Sequence, residues 1–164
     1  MLKLTGAVLI GAACAMYGFS AADRLKRRRD FLNAFLTSLS VLETEMIFGR
    51  YPLGVIFGRI KNKELCGLYT DCDIDGLGIR AAWEKSAEAA ADSAGLKENE
   101  LMAILSLGAE LGMTDIEGQK KSIARTRELA ATYAAEAADD HKRLGSAYRG
   151  CGIAAGIFFV LMLI

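Results

Sequence analysis

Proline occurs once in the 164 residues, at Pro52, and histidine and tryptophan once each, at His141 and Trp83. So few helix breakers count against a loop-rich β sandwich and suit long uninterrupted helices. No segment sustains an apolar–polar alternation of period two, so no strand is expected. Neither GxxxxGK[ST] nor GxGxxG occurs, which argues against an ATPase or a dinucleotide enzyme. The lone imidazole has no serine or cysteine motif to serve. An excess of either charge is also lacking, since 20 Lys plus Arg balance 20 Asp plus Glu. That balance gives no support to non-specific nucleic-acid binding.

The charge is unevenly distributed. Every acidic residue lies between Asp23 and Asp140, and Lys3 is the only charge before Asp23. Leu4 to Ala22 is 19 uncharged residues, LTGAVLIGAACAMYGFSAA. As a helix this is about 28 Å long, close to the roughly 30 Å hydrocarbon thickness. Gly150 to Ile164, GCGIAAGIFFVLMLI, is 15 uncharged residues. That is about 22 Å, which spans if the helix reaches back through Gly145–Tyr148 and Arg149 snorkels. Arg24, Lys26, Arg27, Arg28 and Arg29 follow the first run, whereas a cleaved signal peptide expects its positive charge ahead of the apolar stretch. Lys142, Arg143 and Arg149 precede the second run. The positive-inside rule then sets both flanks in the cytoplasm. The expected organisation is a transmembrane helix over 1–22, a cytoplasmic domain over 23–149 and a second transmembrane helix over 150–164. The basic run can also touch anionic lipid.

Within the middle, Leu25, Leu32, Phe35, Leu39, Leu42 and Met46 form a heptad-like stripe that ends at Gly49. Pro52 opens a short helix with Leu53, Ile56, Phe57 and Ile60, and 61–76 reads as loop. A third helix carries Ile79, Trp83, Ala87, Ala90 and Ala94 up to Gly95. A fourth carries Leu101, Ile104, Leu105, Gly108 and Leu111 up to Gly112. Thr114 and Glu117 have capping-box spacing. Ile116, Ile123, Ala130, Ala137 and Leu144 then recur every seven residues, predicting one helix of about 50 Å or more. The fold class is all-α: an antiparallel helical bundle whose long first and last helices continue into N- and C-terminal transmembrane helices.

Candidate chemistry is sparse. Asp71, Asp73, Asp75 and Gly76 match the first half of a calcium loop, but its twelfth position is Ala82 in place of a bidentate Glu. Capping of the third helix by these aspartates is the better reading. Cys66 and Cys72 lie six apart with no His nearby, poor spacing for zinc, and read as reduced thiols, with Cys14 and Cys151 as small apolar residues. No cofactor or metal is expected. Ala7, Gly11 and Ala15, with Gly152 and Gly156 in a GxxxG, are candidates for close helix packing in the membrane. Glu43 and Glu45, two apart, cannot share a helix face as an acid–base pair.

The stretches MLKLTGAVLI, LETEMIFGRYPL, GAELGMTDIEGQKKSI and YRGCGIAAGIFFVLMLI, with Trp83 between them, resemble the stage III sporulation protein AB family of endospore-forming bacteria, over nearly the whole chain and in the same order. The family often has Tyr-Gly-x-Thr-Pro-Leu where this chain has Phe48, Gly49, Arg50, Tyr51, Pro52 and Leu53. The resemblance implies a multi-pass protein of the mother-cell side outer forespore membrane, non-enzymatic and part of the forespore channel complex. Its cytoplasmic domain would be similar to that of type II secretion inner-membrane platform proteins. Its partners would be a cytoplasmic secretion-type ATPase, other stage III proteins and further copies of itself. Glu43, Glu45, Arg50, Glu110, Asp115 and Gln119 lie in the family-like stretches as candidate partner contacts. Two rival expectations are a membrane-anchored metal-dependent sensor or enzyme using Asp71–Asp75, and a simple coiled-coil tether.

Overall fold

The computed structural model describes residues 2–49, 51–60, 62–70, 72, 78–113 and 115–163; at 2–5, 7, 8, 10, 47, 48, 159 and 163 it describes the backbone alone. Helix α1 runs Leu2–Thr44 and passes into a π-helical turn, Glu45–Gly49. Helix α2 follows at Leu53–Arg59, then a 3-10 turn at Lys63–Leu65. Helices α3 (Ile79–Ala94) and α4 (Glu98–Glu110) form a hairpin, and α5 (Ile116–Leu163) returns the length of the molecule. Among the described residues there is no strand.

The 43 residues of α1 and 48 of α5 make an antiparallel pair. At 1.5 Å per residue they are about 64 and 72 Å long. Gly11 lies opposite Gly156, Gly18 opposite Gly152, Arg28 opposite Asp140 and Glu43 opposite Arg127. The apolar ends therefore lie side by side; the turns at Glu45–Gly49 and Gly112 lie at the other end, the tip, while the α3–α4 turn at Gly95 lies back beside Arg24.

The heptad stripe of α1 is the spine of the core. Phe31, Leu32, Phe35, Leu39 and Leu42 are all buried, against Ile123, Ala130, Ala134 and Ala137 of α5. Large side chains on one helix and alanines on the other let the axes approach closely while filling the gap. Trp83 of α3 closes the core near the tip, its Nε1–H donating to Ile104 O at 2.9 Å. The indole lies directly over Gly108, where even a Cβ would overlap the ring. Phe57, Tyr69 and Trp83 stack at centroid separations of 5.1–5.5 Å, in tilted and edge-on contacts. Each large side chain buried in this way contributes about 1.5–3 kcal/mol of transfer free energy.

Two expectations needed refinement. Of the 61–76 stretch, the described residues 62–70 and 72 hold a 3-10 turn and irregular backbone, yet Leu65, Leu68 and Tyr69 among them are core residues. Burial without regular structure leaves no periodic trace in a sequence. The heptad of α5 buries Ile123, Ala130 and Ala137, while its outer members Ile116 and Leu144 are exposed. A straight α-helix drifts about 20° per heptad, so a seven-residue repeat leaves the interface at its ends. The capping box at Thr114 lies outside the described residues. Asp115 caps α5, its Oδ1 accepting the Gly118 N–H at 3.0 Å.

Candidate functional site

Two sequence stretches about sixty residues apart meet at the tip. The π-helical turn and Pro52 bring Met46, Tyr51, Pro52 and Leu53 to the start of α5, where Gly112, Ile116 and Gln119 complete an open groove of about 470 Å³. Gly112 makes this junction possible. Its φ of 76° is a left-handed conformation that glycine adopts without strain, and it ends the α4 turn between Leu53 and Ile79. A second cavity of about 480 Å³ opens on the far side of Gly112, lined by Ile79, Arg80, Glu84, Leu111 and Met113. Tyr51, Met113 and Ile116 are exposed at 45%, 79% and 52%, an apolar display that a closed bundle does not require.

The candidate partner residues divide around this groove. Gln119 lines it. Glu45 sits at its edge, ion-paired to Arg59 at 2.8 Å, and the Arg59 guanidinium lies 4.2 Å from the Tyr51 ring centroid. Glu43 is drawn to Arg127 on α5, on a different face from Glu45, and so joins the helix pair together. Glu110 is exposed at the end of α4, and Asp115 is exposed but occupied as the α5 cap. Arg50 and the Asp71–Asp75 loop lie outside the described residues. Among the described residues no group of three or more His, Cys, Asp or Glu is placed to hold a metal ion. The tip presents apolar surface with charges at its rim.

At the opposite end, Gly11, Ala15 and Gly156 border one open groove between α1 and α5. Gly152 meets Gly18, which the spacing argument had not singled out; a Cβ on Gly18 would lie 2.6 Å from Tyr148 O. The Ala7 side chain lies outside what is described.

Sequence reasoning missed one site entirely. Arg28 is buried between α1, α4 and α5. Its Nη2 is 2.7 Å and its Nε 3.0 Å from Glu100 Oε1, and its Nη1 is 2.8 Å from Asp140 Oδ2. Glu100 also takes back the Lys97 N–H at 2.8 Å, as the carboxylate half of a capping box. Lys97 then reaches Glu136. Arg28 holds the Asp140 carboxyl below the ordinary range, mainly by that hydrogen bond. The signal was present in the pattern. Arg28 falls between Leu25 and Leu32 on the apolar stripe of α1, and Glu100 lies one turn before Ile104 on the buried face of α4.

Fold and site define a class: an all-helical bundle on a long antiparallel helix pair, with an apolar groove at one end. A family model described as stage III sporulation protein AB matches residues 3–164, and the chain belongs to that family. A curated relative, stage III sporulation protein AB of Bacillus subtilis (strain 168), is 27% identical over 170 aligned positions, 99% of each chain. A solved structure of stage III sporulation protein AB shares the fold, with a TM-score of 0.60 at 22% identity, over 70% of this chain and 96% of that one.

Proposed function

We propose that this member of the family is a non-enzymatic membrane platform of the channel complex between mother cell and forespore. In this reading 1–22 and 150–164 cross the outer forespore membrane, and 23–149 is cytoplasmic. The tip groove engages a cytoplasmic secretion-type ATPase, and the chain helps assemble other stage III proteins. Membrane attachment is favoured by α5, whose C-terminal part is long and apolar enough to span a bilayer. The observation that carries the partner reading is convergence. The two internal stretches that resemble the family, 42–53 and 108–123, are separate in sequence, yet they supply the walls of one exposed apolar groove. A coiled-coil tether has no use for such a groove.

The test is to purify the full chain in detergent, add the candidate ATPase and measure both association and ATP turnover in each nucleotide state. Ile116→Glu and Tyr51→Ala alter exposed side chains and should leave helicity unchanged. Each is expected to weaken association at least about tenfold, the usual cost of losing an interface anchor. No association in any state, or binding indifferent to both variants, overturns the reading.

A further inference from the structure

We propose that the outward-facing basic residues at the root of the helix pair form a collar that selects anionic lipid headgroups. The inference rests on the membrane reading above and adds a ligand chemistry to it. On the register of the pair, Lys26 and Arg27 of α1 lie level with Lys142 of α5, and Arg149 lies level with Phe19. The cations at this level divide into two groups. Arg28 points inward and is consumed by Glu100 and Asp140, Arg29 is paired with Asp30 at 2.6 Å, Arg143 faces Asp139 at 3.5 Å, and Arg24 lies along the α3–α4 turn at Gly95. Lys26, Arg27, Lys142 and Arg149 are exposed, with no carboxylate in ion-pair range among the described residues. A fold that needed these charges only for its own cohesion would have paired them as it paired Arg28.

Their neighbours identify the occupant. Immediately on the apolar side stand Tyr17, Phe19 and Tyr148, all exposed, and beyond them exposed Met16, Ile153 and Ile157. Apolar, then aromatic, then basic is the sequence of environments met on leaving a bilayer: hydrocarbon, interface, charged headgroups. Helix α1 presents this order outright; on α5 Arg149 stands at the aromatic level beside Tyr148, with Lys142 one level further out. Helical Cα–Cβ bonds tilt towards the N-terminus, so Lys26 and Arg27 lean towards the aromatic level, within reach of a headgroup phosphate. A nucleic acid fits less well, because the collar is narrow and backed by apolar helix.

The full chain in phosphatidylcholine vesicles, probed with spin-labelled phosphatidylglycerol or phosphatidylcholine, tests the proposal through the motionally restricted lipid fraction. A cation near an anionic surface is worth about fivefold in partition. The native chain should therefore prefer the phosphatidylglycerol label by about three- to tenfold at low salt. The preference should fall towards unity at 1 M salt, where the screening length is about 3 Å. Combining Lys26→Gln, Arg27→Gln, Lys142→Gln and Arg149→Gln should abolish the preference while leaving the restricted phosphatidylcholine fraction unchanged. The control Lys121→Gln with Arg125→Gln, near the tip, should retain it. Equal restriction of both labels by the native chain, or a preference that survives the fourfold variant, overturns the collar alone. If neither label is restricted and alkaline carbonate releases the chain, the membrane reading falls with it.

Discussion

At one end of the α1–α5 pair, backbone meets backbone: Gly18 against Gly152, and Gly11 against Gly156 with the Val160 side chain beside it. A little further along, the same two helices are joined through Arg28, a buried side chain bonded to α4 and α5 together. The first joint depends on the absence of atoms and so tolerates no addition. The second depends on completed charge pairing and so tolerates no subtraction. Glycine contacts bring two helices close but say little about a third, whereas the guanidinium and its two carboxylates specify how three helices meet.

The largest effect should come from subtraction at the charged joint. Glu100→Ala leaves the Arg28 charge buried without its main partner and should cost about 3–5 kcal/mol, read as a fall in the denaturation midpoint. Arg28→Met combined with Glu100→Leu should restore most of the loss. If the double variant stays as unstable as the single, the pair is more than a mutual neutralisation. Addition at the glycine joint comes next. Gly18→Leu places a Cβ against the Tyr148 carbonyl and should cost about 1–3 kcal/mol by overpacking, seen in thermal unfolding in detergent. Gly145→Ala is the matched control, because its Cβ would meet nothing nearer than His141 Nδ1 at 3.4 Å, and it should be neutral or stabilising. Between joint and tip, Glu43→Gln removes the partly exposed pair with Arg127, a change of about 0.2–1 kcal/mol.

The smallest effects are of pH. Burial, aided by nearby Arg29 and Arg149, holds the His141 imidazole below its ordinary value, so the fold prefers it neutral. The unfolded chain then binds more protons as pH falls through about 6.5. Stability should decline below that point, and His141→Gln should remove the decline. Asp140 acts lower on the scale: its folded value is depressed, so its contribution is present above about 3.9 and lost as pH falls further. Asp140→Asn should flatten that acid limb.

The all-helical architecture was legible because its information is periodic. Leu32, Phe35, Leu39 and Leu42 declare a buried face whatever they pack against, and Gly95 and Gly112 mark real chain reversals in left-handed conformations. Tyr69 was not legible, because nothing local says that a loop tyrosine will enter the core and share a hydrogen bond with Ser38. Of the candidate site, the contributing stretches were recognisable, but their meeting at Gly112 is a tertiary fact. Glu43 shows the limit of such reasoning: its place in a family-like stretch suggested a partner contact, and the fold draws it to Arg127.

Both long helices run without interruption from the apolar end through the bundle, α1 to Thr44 and α5 from Ile116. Mechanically they are two beams clamped side by side. Over a length of about 64 Å, a tilt of about 5° at one end moves the other by about 5 Å, close to one helical turn. The clamp at Arg28 stands roughly 60% of the way along α1 from Leu2, nearer the tip than the apolar end. If the two beams stay rigid, a push on the tip reaches the apolar end as a single movement.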